Sequence, residues 1–164
     1  MVDKIEITDQ MRSQIGQESP PWDYEVTTTS VRAFARGVGY TDPVYFDQKA
    51  ARDAGYRDLP APPTYLGTPI FIPGQSSDTF SRPTAGQPTI EHGLAGLLDG
   101  GTETEYFAQV CAGDTLSVVI RITGLEVRDS KALGQMLIMT SETTFTDRDS
   151  GDVTAVQRGQ GIFY

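Results

Sequence analysis

Residues 112–122, "AGDTLSVVIRI", carry the clearest structural pattern in the chain. A turn of small residues is followed by apolar residues at every second position: Leu116, Val118, Ile120 and Ile122. Successive side chains of a β-strand point to opposite faces, so this alternation places the four apolar side chains on one face. The stretch therefore predicts a long strand, Thr115–Ile122, that covers a core on one side.

The pattern continues on both sides of this strand. After Gly124 the apolar positions change phase to Leu125 and Val127, and a phase slip at a glycine indicates a β-bulge. Residues 146–152 are rich in Asp, Ser and Gly and predict a hairpin turn. The further predicted strands are Trp22–Val26, Glu103–Gln109, Gln135–Thr146 and Val153–Phe163.

Helices are predicted only in the first 100 residues. An amphipathic face is formed by Val31, Phe34, Ala35 and Val38, with Thr28 or Thr29 as the N-cap and Gly39 at the end. Gln48–Ala54 predicts a second helix, with Asp47 as its N-cap and Gly55 just after it.

A third helix is predicted to begin at Pro63, which suits a first turn, and Pro69 and Pro73 must bend or end it. The Ser-, Thr-, Pro- and Gly-rich stretch Gln75–Glu91 predicts a long loop. The order of elements indicates an α+β fold in which a curved antiparallel sheet packs on helices. The length suits one domain, residues 1–164.

The composition excludes several classes of function. The formal net charge is -9, which argues against sequence-independent nucleic-acid binding and against a polybasic membrane anchor. No apolar run approaches the roughly 20 residues that span a bilayer, so we expect a soluble, cytoplasmic protein without a membrane contact. One cysteine, Cys111, and one histidine, His92, predict no metal site, and no nucleotide or flavin motif predicts a cofactor.

Several segments, taken in order, resemble the MaoC-like dehydratases, specifically their N-terminal-domain type. The matching segments are Phe46-Asp47, Ala50-Ala51, Gly55-Tyr56, Leu59–Tyr65, Leu97–Gly100, Glu103–Tyr106, Ala112–Leu116, Phe145–Gly151 and Val156–Arg158. The resemblance spans roughly residues 15–164 and implies a hotdog fold, in which a long antiparallel sheet wraps a central helix, here Pro63–Ile72. It also implies a reaction, the reversible hydration of a trans-2-enoyl thioester carried by CoA or an acyl carrier protein.

Active members of this family carry an Asp and a His five positions apart, in a segment like D-x-N-P-L-H. Laid on residues 40–47, "YTDPVYFD", Pro43 matches the proline, while Tyr40 replaces the Asp and Tyr45 replaces the His. An ordinary tyrosine has a pKa of about 10 and makes a poor base near neutral pH. The resemblance implies that the substrate-binding residues are Tyr40, Tyr45, Pro63, Thr64 and Tyr65.

Three hypotheses remain open. In the first, the chain is a non-catalytic, substrate-binding subunit of a dehydratase or hydratase of fatty-acyl or steroid side-chain metabolism, and a separate hotdog subunit supplies the Asp/His pair. In the second, the chain is a self-sufficient homodimeric hydratase that uses Asp42 or His92 as a catalytic residue. In the third, it is a homodimer that binds acyl thioesters without chemistry. A single hotdog sheet leaves an exposed edge, so every hypothesis predicts a dimer, with Glu103–Val110 or the strand after Gly113 near the interface.

Overall fold

The structure, a computed structural model of the chain, describes residues 4–67 and 86–164. Its five strands form one sheet in the order β1-β3-β4-β5-β2, and every neighbouring pair is antiparallel. The predicted α+β class is confirmed. The elements are α1 (Asp9–Ser13), β1 (Trp22–Glu25), α2 (Thr28–Gly37), α3 (Gln48–Asp53), β2 (Leu97–Tyr106), β3 (Thr115–Ser130), β4 (Gly134–Asp147), β5 (Val153–Phe163) and two short 3-10 turns, Pro43–Tyr45 and Tyr65–Gly67.

The central strands follow the predicted alternation. The β3–β4 register shifts between Ile122 and Gly124, which confirms the predicted bulge. The extra residue lets β3 continue to Ser130, eight residues beyond the predicted end, because pairing resumes in the new phase. The hairpin turn at residues 146–152 and the last strand, Val153–Phe163, are confirmed.

The strand predicted at Glu103–Gln109 is displaced. It begins at Leu97, which pairs with Phe163, and it ends at Tyr106. Two features hide its first half from a pattern search: β2 is an edge strand with little buried surface, and a bulge between Asp99 and Gly101 breaks the alternation. Phe107 leaves the strand, although its amide still donates to the Thr154 carbonyl.

The predicted helices α2 and α3 are both present. Thr27 caps α2, one residue before the predicted candidates Thr28 and Thr29, because its hydroxyl accepts from the Ser30 amide while the Ser30 hydroxyl accepts from the Thr27 amide. Asp47 caps α3 as predicted, with its carboxylate 2.8 Å from the Ala50 nitrogen. The five-residue helix α1 has no counterpart among the predicted elements.

The third predicted helix is described only at its start. Pro63 and Thr64 lie in a turn, and Tyr65–Gly67 forms a single 3-10 turn. The remainder of Pro63–Ile72, including Pro69, lies outside the described residues, as does the loop up to residue 85. Residues 86–91 form no helix or strand, which agrees with the end of the predicted loop.

One face of the sheet, called the inner face below, packs on the helices. Leu116, Val118, Phe145 and Ala155 lie on it and are buried. They contact buried residues from the helical layer: Val31, Ala51, Leu59, Tyr65 and Leu66. Sequestering this apolar surface from water is the main force that holds the sheet and the helical layer together.

Phe145→Ala tests this core. Removing a buried aromatic side chain leaves a cavity, and such changes cost about 3–5 kcal/mol of unfolding free energy. We expect that loss for Phe145→Ala in a urea titration followed by circular dichroism. Thr144→Ala is the matched control, since it alters the next residue of β4 on the opposite face, and we expect less than about 1 kcal/mol there. A similar loss in both variants would contradict the assignment of the inner face.

Candidate active site

The loop of residues 40–47 joins α2 to α3 and is held at both ends by backbone hydrogen bonds. The Tyr40 amide donates to the Ala35 carbonyl at the end of α2. Asp42 caps the Pro43–Tyr45 turn, with a carboxylate oxygen 3.1 Å from the Val44 nitrogen. The Asp47 amide then donates to the Pro43 carbonyl, so the path of the loop is fixed by main-chain contacts.

The side chains of Tyr40 and Tyr45 stack on each other. Their ring centroids are 5.3 Å apart and their planes differ by 21°. Tyr40 is 39% exposed and Tyr45 is half-buried, so one flank of the pair faces solvent. The two positions at which the family resemblance leads us to expect an acid and a base are therefore brought together here as two stacked tyrosine rings.

The environment makes Tyr45 a weaker acid still. Burial raises the pKa of Tyr45 above its ordinary value, and the neighbouring Tyr40, Tyr56 and Asp42 raise it further because each disfavours a phenolate. Tyr45 stays protonated throughout the physiological range. It can donate a hydrogen bond, but it cannot remove a proton from substrate or water.

The other two catalytic candidates lie apart from each other. The exposed Asp42 carboxylate is used as the cap of the turn. His92 packs on Phe163, 4.1 Å between ring centroids, at the end of β5 that is remote from the core residue Ala155. Eight residue steps along β5 separate Ala155 from Phe163, roughly 26 Å at the usual rise. The structure brings Asp42 to the tyrosine pair and does not bring His92 there.

The residues Pro63, Thr64 and Tyr65 take three different places. Tyr65 is 1% exposed and sits in the core, where burial raises the pKa of its phenol. Thr64 is exposed. Pro63 lies at the surface, and its carbonyl accepts from the Tyr106 hydroxyl at the end of β2. Their predicted contact with substrate stays a prediction.

Pro63 lines a groove of about 400 Å³ beside the end of the edge strand. The other lining residues are Ala61, Tyr106, Phe107, Ala108 and Gln109. Phe107 is 56% exposed, so the groove presents an apolar wall to solvent. Sequence reasoning missed this groove, since Tyr106 and Phe107 are 43 and 44 positions from Pro63 and only the fold brings them together.

Asp114, in the "AGDT" turn, takes part in a buried clip that sequence reasoning also missed. Its carboxylate accepts from the Cys111 amide and from the guanidinium of Arg57, which also donates to the Gln109 carbonyl. Burial raises the pKa of Asp114, and those two donors oppose the rise. The Arg57–Asp114 contact connects the segment after α3 to the turn before β3, so we assign Asp114 a structural role.

Within residues 4–67 and 86–164, no group of three His, Cys, Asp or Glu side chains is placed to hold a metal ion. In the same described ranges, no helix is both long and apolar enough to cross a bilayer.

Comparisons with known proteins show the family and the fold of the chain. The model of the FAS1-like dehydratase domain region matches residues 13–156. The chain belongs to this dehydratase family. It is also 33% identical over 120 residues to a UPF0336 protein of Streptomyces avermitilis, covering 70% of this chain and 73% of that protein.

A second relative of this dehydratase-family chain is a probable enoyl-CoA hydratase alpha subunit of Thermomonospora curvata. The two are 28% identical over 141 residues, which covers 81% of this chain and 43% of the relative.

Two solved complexes from Mycobacterium tuberculosis share the fold. A chain of the ChsH1–ChsH2 complex superposes with a TM-score of 0.74 at 19% identity, covering 94% of this chain and 93% of that one. A chain of the HadBC (3R-hydroxyacyl-ACP dehydratase) complex gives 0.66 at 22%, covering 91% and 96%. The predicted hotdog fold of the MaoC-like dehydratases is confirmed, and these two complexes contain chains with the same fold.

The packing of His92 at the Phe163 end of β5 can be tested through the pH dependence of the unfolding free energy. Its Nδ1 accepts from the Leu94 amide at 3.1 Å, and burial lowers the pKa of the imidazole. The folded state therefore binds fewer protons than the unfolded state below the ordinary histidine pKa of about 6.5. This contribution to stability is complete above that pH and is lost as the pH falls through the lower, folded-state pKa.

We expect the unfolding free energy to fall as the pH is lowered from about 7 to about 5, and His92→Asn to flatten part of that slope, measured by urea titrations at each pH. Asn keeps an acceptor for the Leu94 amide but does not titrate. The neighbouring Glu91→Gln is the control for general charge effects. An identical slope in His92→Asn would contradict the predicted shift.

Proposed function

We propose that this chain is the substrate-binding, non-catalytic subunit of a 3-hydroxyacyl-thioester dehydratase or enoyl-CoA hydratase. One observation carries the proposal: a loop of the dehydratase family is retained with a stacked Tyr40–Tyr45 pair in place of its acid and base. Hydration needs a group that accepts a proton from water and another that delivers one to the substrate carbon. The raised pKa of Tyr45 leaves it a hydrogen-bond donor that does not accept a proton.

The partner in this proposal is a hotdog subunit that carries the Asp/His pair. Its docking edge is β2, an edge strand with exposed apolar side chains at both ends, Leu97 (64% exposed) and Phe107 (56% exposed). Unpaired strand edges and apolar patches of this kind favour association with another sheet. The strand after Gly113, β3, is paired with β4 along its length and with β1 over Thr115–Val118, so part of its edge is already covered.

The similarities support a shared site. The solved structures with this fold include the ChsH1–ChsH2 and HadBC complexes, and one relative is named as an alpha subunit of a probable enoyl-CoA hydratase. The substrate in our proposal is an acyl-CoA or acyl-carrier-protein thioester of fatty-acyl or steroid side-chain metabolism. The protein acts in the cytoplasm, and residues 1–164 form one hotdog unit. No cofactor takes part, because hydration of an enoyl thioester is an acid–base reaction.

The self-sufficient homodimer is disfavoured by the placement of its two candidates. Asp42 holds the turn through Val44, and His92 packs on Phe163 at the far end of β5 from the core residue Ala155. The binding-only homodimer keeps the same tyrosine pair and differs only in its partner, so reconstitution distinguishes it.

Reconstitution tests the proposal directly. The chain is co-expressed with hotdog proteins of the same genome that carry a D-x-N-P-L-H segment, and crotonyl-CoA hydration is followed by the loss of enoyl absorbance. We expect no hydration by the purified chain and hydration by one co-purified pair, abolished when the partner's histidine is changed to Ala. Hydration by the chain alone at the rate of the pair, lost in Asp42→Asn or His92→Ala, would establish the self-sufficient enzyme instead.

Tyr45→Ala separates binding from chemistry in the active pair. Because Tyr45 lines the site without moving a proton, we expect KM for the enoyl-CoA to rise several-fold while kcat changes by less than about threefold. Loss of a general acid or base lowers rates by roughly 10²–10⁴. A fall in kcat of that size, with KM unchanged, would assign Tyr45 a catalytic role. Tyr164→Ala, an exposed tyrosine at the chain end, is the matched control.

A further inference from the structure

The inner face of the sheet changes from apolar to polar along the strands. In β4 the buried Phe145 is followed on the same face by Thr143 and Ser141, and in β5 Ala155 is followed by Gln157 and Gly159. The edge strand β2 continues both rows, since its residues at 104 and 102 pair with those at 157 and 159. We call this set the inner polar patch: Thr102, Thr104, Ser141, Thr143 and Gln157, around Gly159.

A hollow lies at the centre of the patch. Ser141, Gly159 and Thr102 are register partners across β4, β5 and β2. A Cβ on Gly159 would stand 3.7 Å from the Ser141 hydroxyl oxygen and 3.8 Å from that of Thr102. The missing side chain therefore leaves a space about one methyl group deep, flanked by two hydroxyls. The same three residues also line a depression of about 570 Å³, together with residues of the opposite face such as Glu103, Thr140 and Arg158.

The rim of the hollow is also polar. The Gln157 amide nitrogen donates to the Thr104 hydroxyl at 3.0 Å, which holds the side chain in place along the face. Gly67, at the end of the Tyr65–Gly67 turn, lies over this amide, since a Cβ there would stand 3.8 Å from it. Thr104, Ser141, Thr143 and Gln157 are half-buried and Thr102 is exposed, so the patch is partly open to solvent.

A half-buried polar surface discriminates between ligands, because a ligand that covers its hydroxyl and amide groups must replace the hydrogen bonds that those groups made with water. A plain alkyl chain laid over half-buried hydroxyl and amide groups removes water from them and gives no hydrogen bond in return. A chain with its own hydroxyl or keto oxygen replaces the lost water. Sites built in this way reject the analogue that lacks the oxygen far more strongly than an apolar pocket rejects an extra methylene.

We propose that the inner polar patch receives an acyl group that carries a hydroxyl or keto oxygen along its chain, in addition to the thioester carbonyl. The oxygen occupies the hollow above Gly159 and pairs with Ser141 and Thr102. This inference rests on the proposed acyl-thioester-binding function and names the substrate class of that site.

Binding to the purified chain tests the inference without requiring the partner. Isothermal titration compares decanoyl-CoA with decanoyl-CoAs hydroxylated at mid-chain and at the chain end. We expect at least one hydroxylated probe to bind the wild-type chain at least about tenfold more tightly than decanoyl-CoA. Ser141→Ala removes one hydroxyl, and Gly159→Ala fills the hollow with a methyl group that meets ordinary contact distances. Each is expected to reduce the preference to less than about threefold.

Thr144→Ala is the matched control, because it removes a hydroxyl from the opposite face of β4 and should leave the preference intact. Thermal unfolding of every variant confirms that it is folded, and Ser141→Ala keeps the test informative if Gly159→Ala is unstable. Equal affinities for all probes, or a preference that survives both inner-face substitutions, overturn the inference and leave the proposed function standing. No binding of any probe overturns the proposed function and the inference together.

Discussion

Tyr65 joins the helical layer to the sheet, and the remainder of the structure depends on it. Its ring meets Tyr24 of β1 and Phe34 of α2 edge-on, at centroid distances of 5.9 and 5.7 Å. Its carbonyl accepts from the Tyr24 hydroxyl, and its own hydroxyl bonds Ser30 in the capping box of α2. A buried phenol needs such a partner to offset its desolvation. These contacts hold the Tyr65–Gly67 turn, β1 and α2 together on the inner face of the sheet.

The loop of residues 40–47 is positioned by its contacts with α2, which Tyr65 anchors to the sheet. The backbone of α2 receives the Tyr40 amide, and the Arg32 side chain donates to the Phe46 carbonyl at 2.9 Å. None of these contacts involves the side chain at position 40 or 45. The two positions that carry the chemistry in active relatives can therefore change while the loop keeps its path, which explains how a dyad-less member retains the family's scaffold.

The sequence predicted those elements that depend on the residue pattern within a single segment. Alternation located β3, β4 and β5, and the α3 cap followed from one Asp and one Gly at fixed offsets. Three successive threonines hid which one caps α2, five residues were too few to show the period of α1, and an edge strand with a bulge concealed the start of β2. In the site, the tyrosine substitution was readable, but the position of His92 depends on Phe163, 71 residues away, and on the fold.

In the heteromer that we propose, binding and chemistry reside in different subunits because they place opposite demands on a single hotdog. An acid–base pair needs ionisable groups close to the reacting carbons, and these groups function only with finely adjusted pKa values. A site for a long acyl group needs open surface on the inner face, such as the hollow at Gly159 between two hydroxyls. In the heteromer that we propose, the exposed apolar residues Leu97, on β2, and Phe107, just after it, supply the contact with the catalytic subunit.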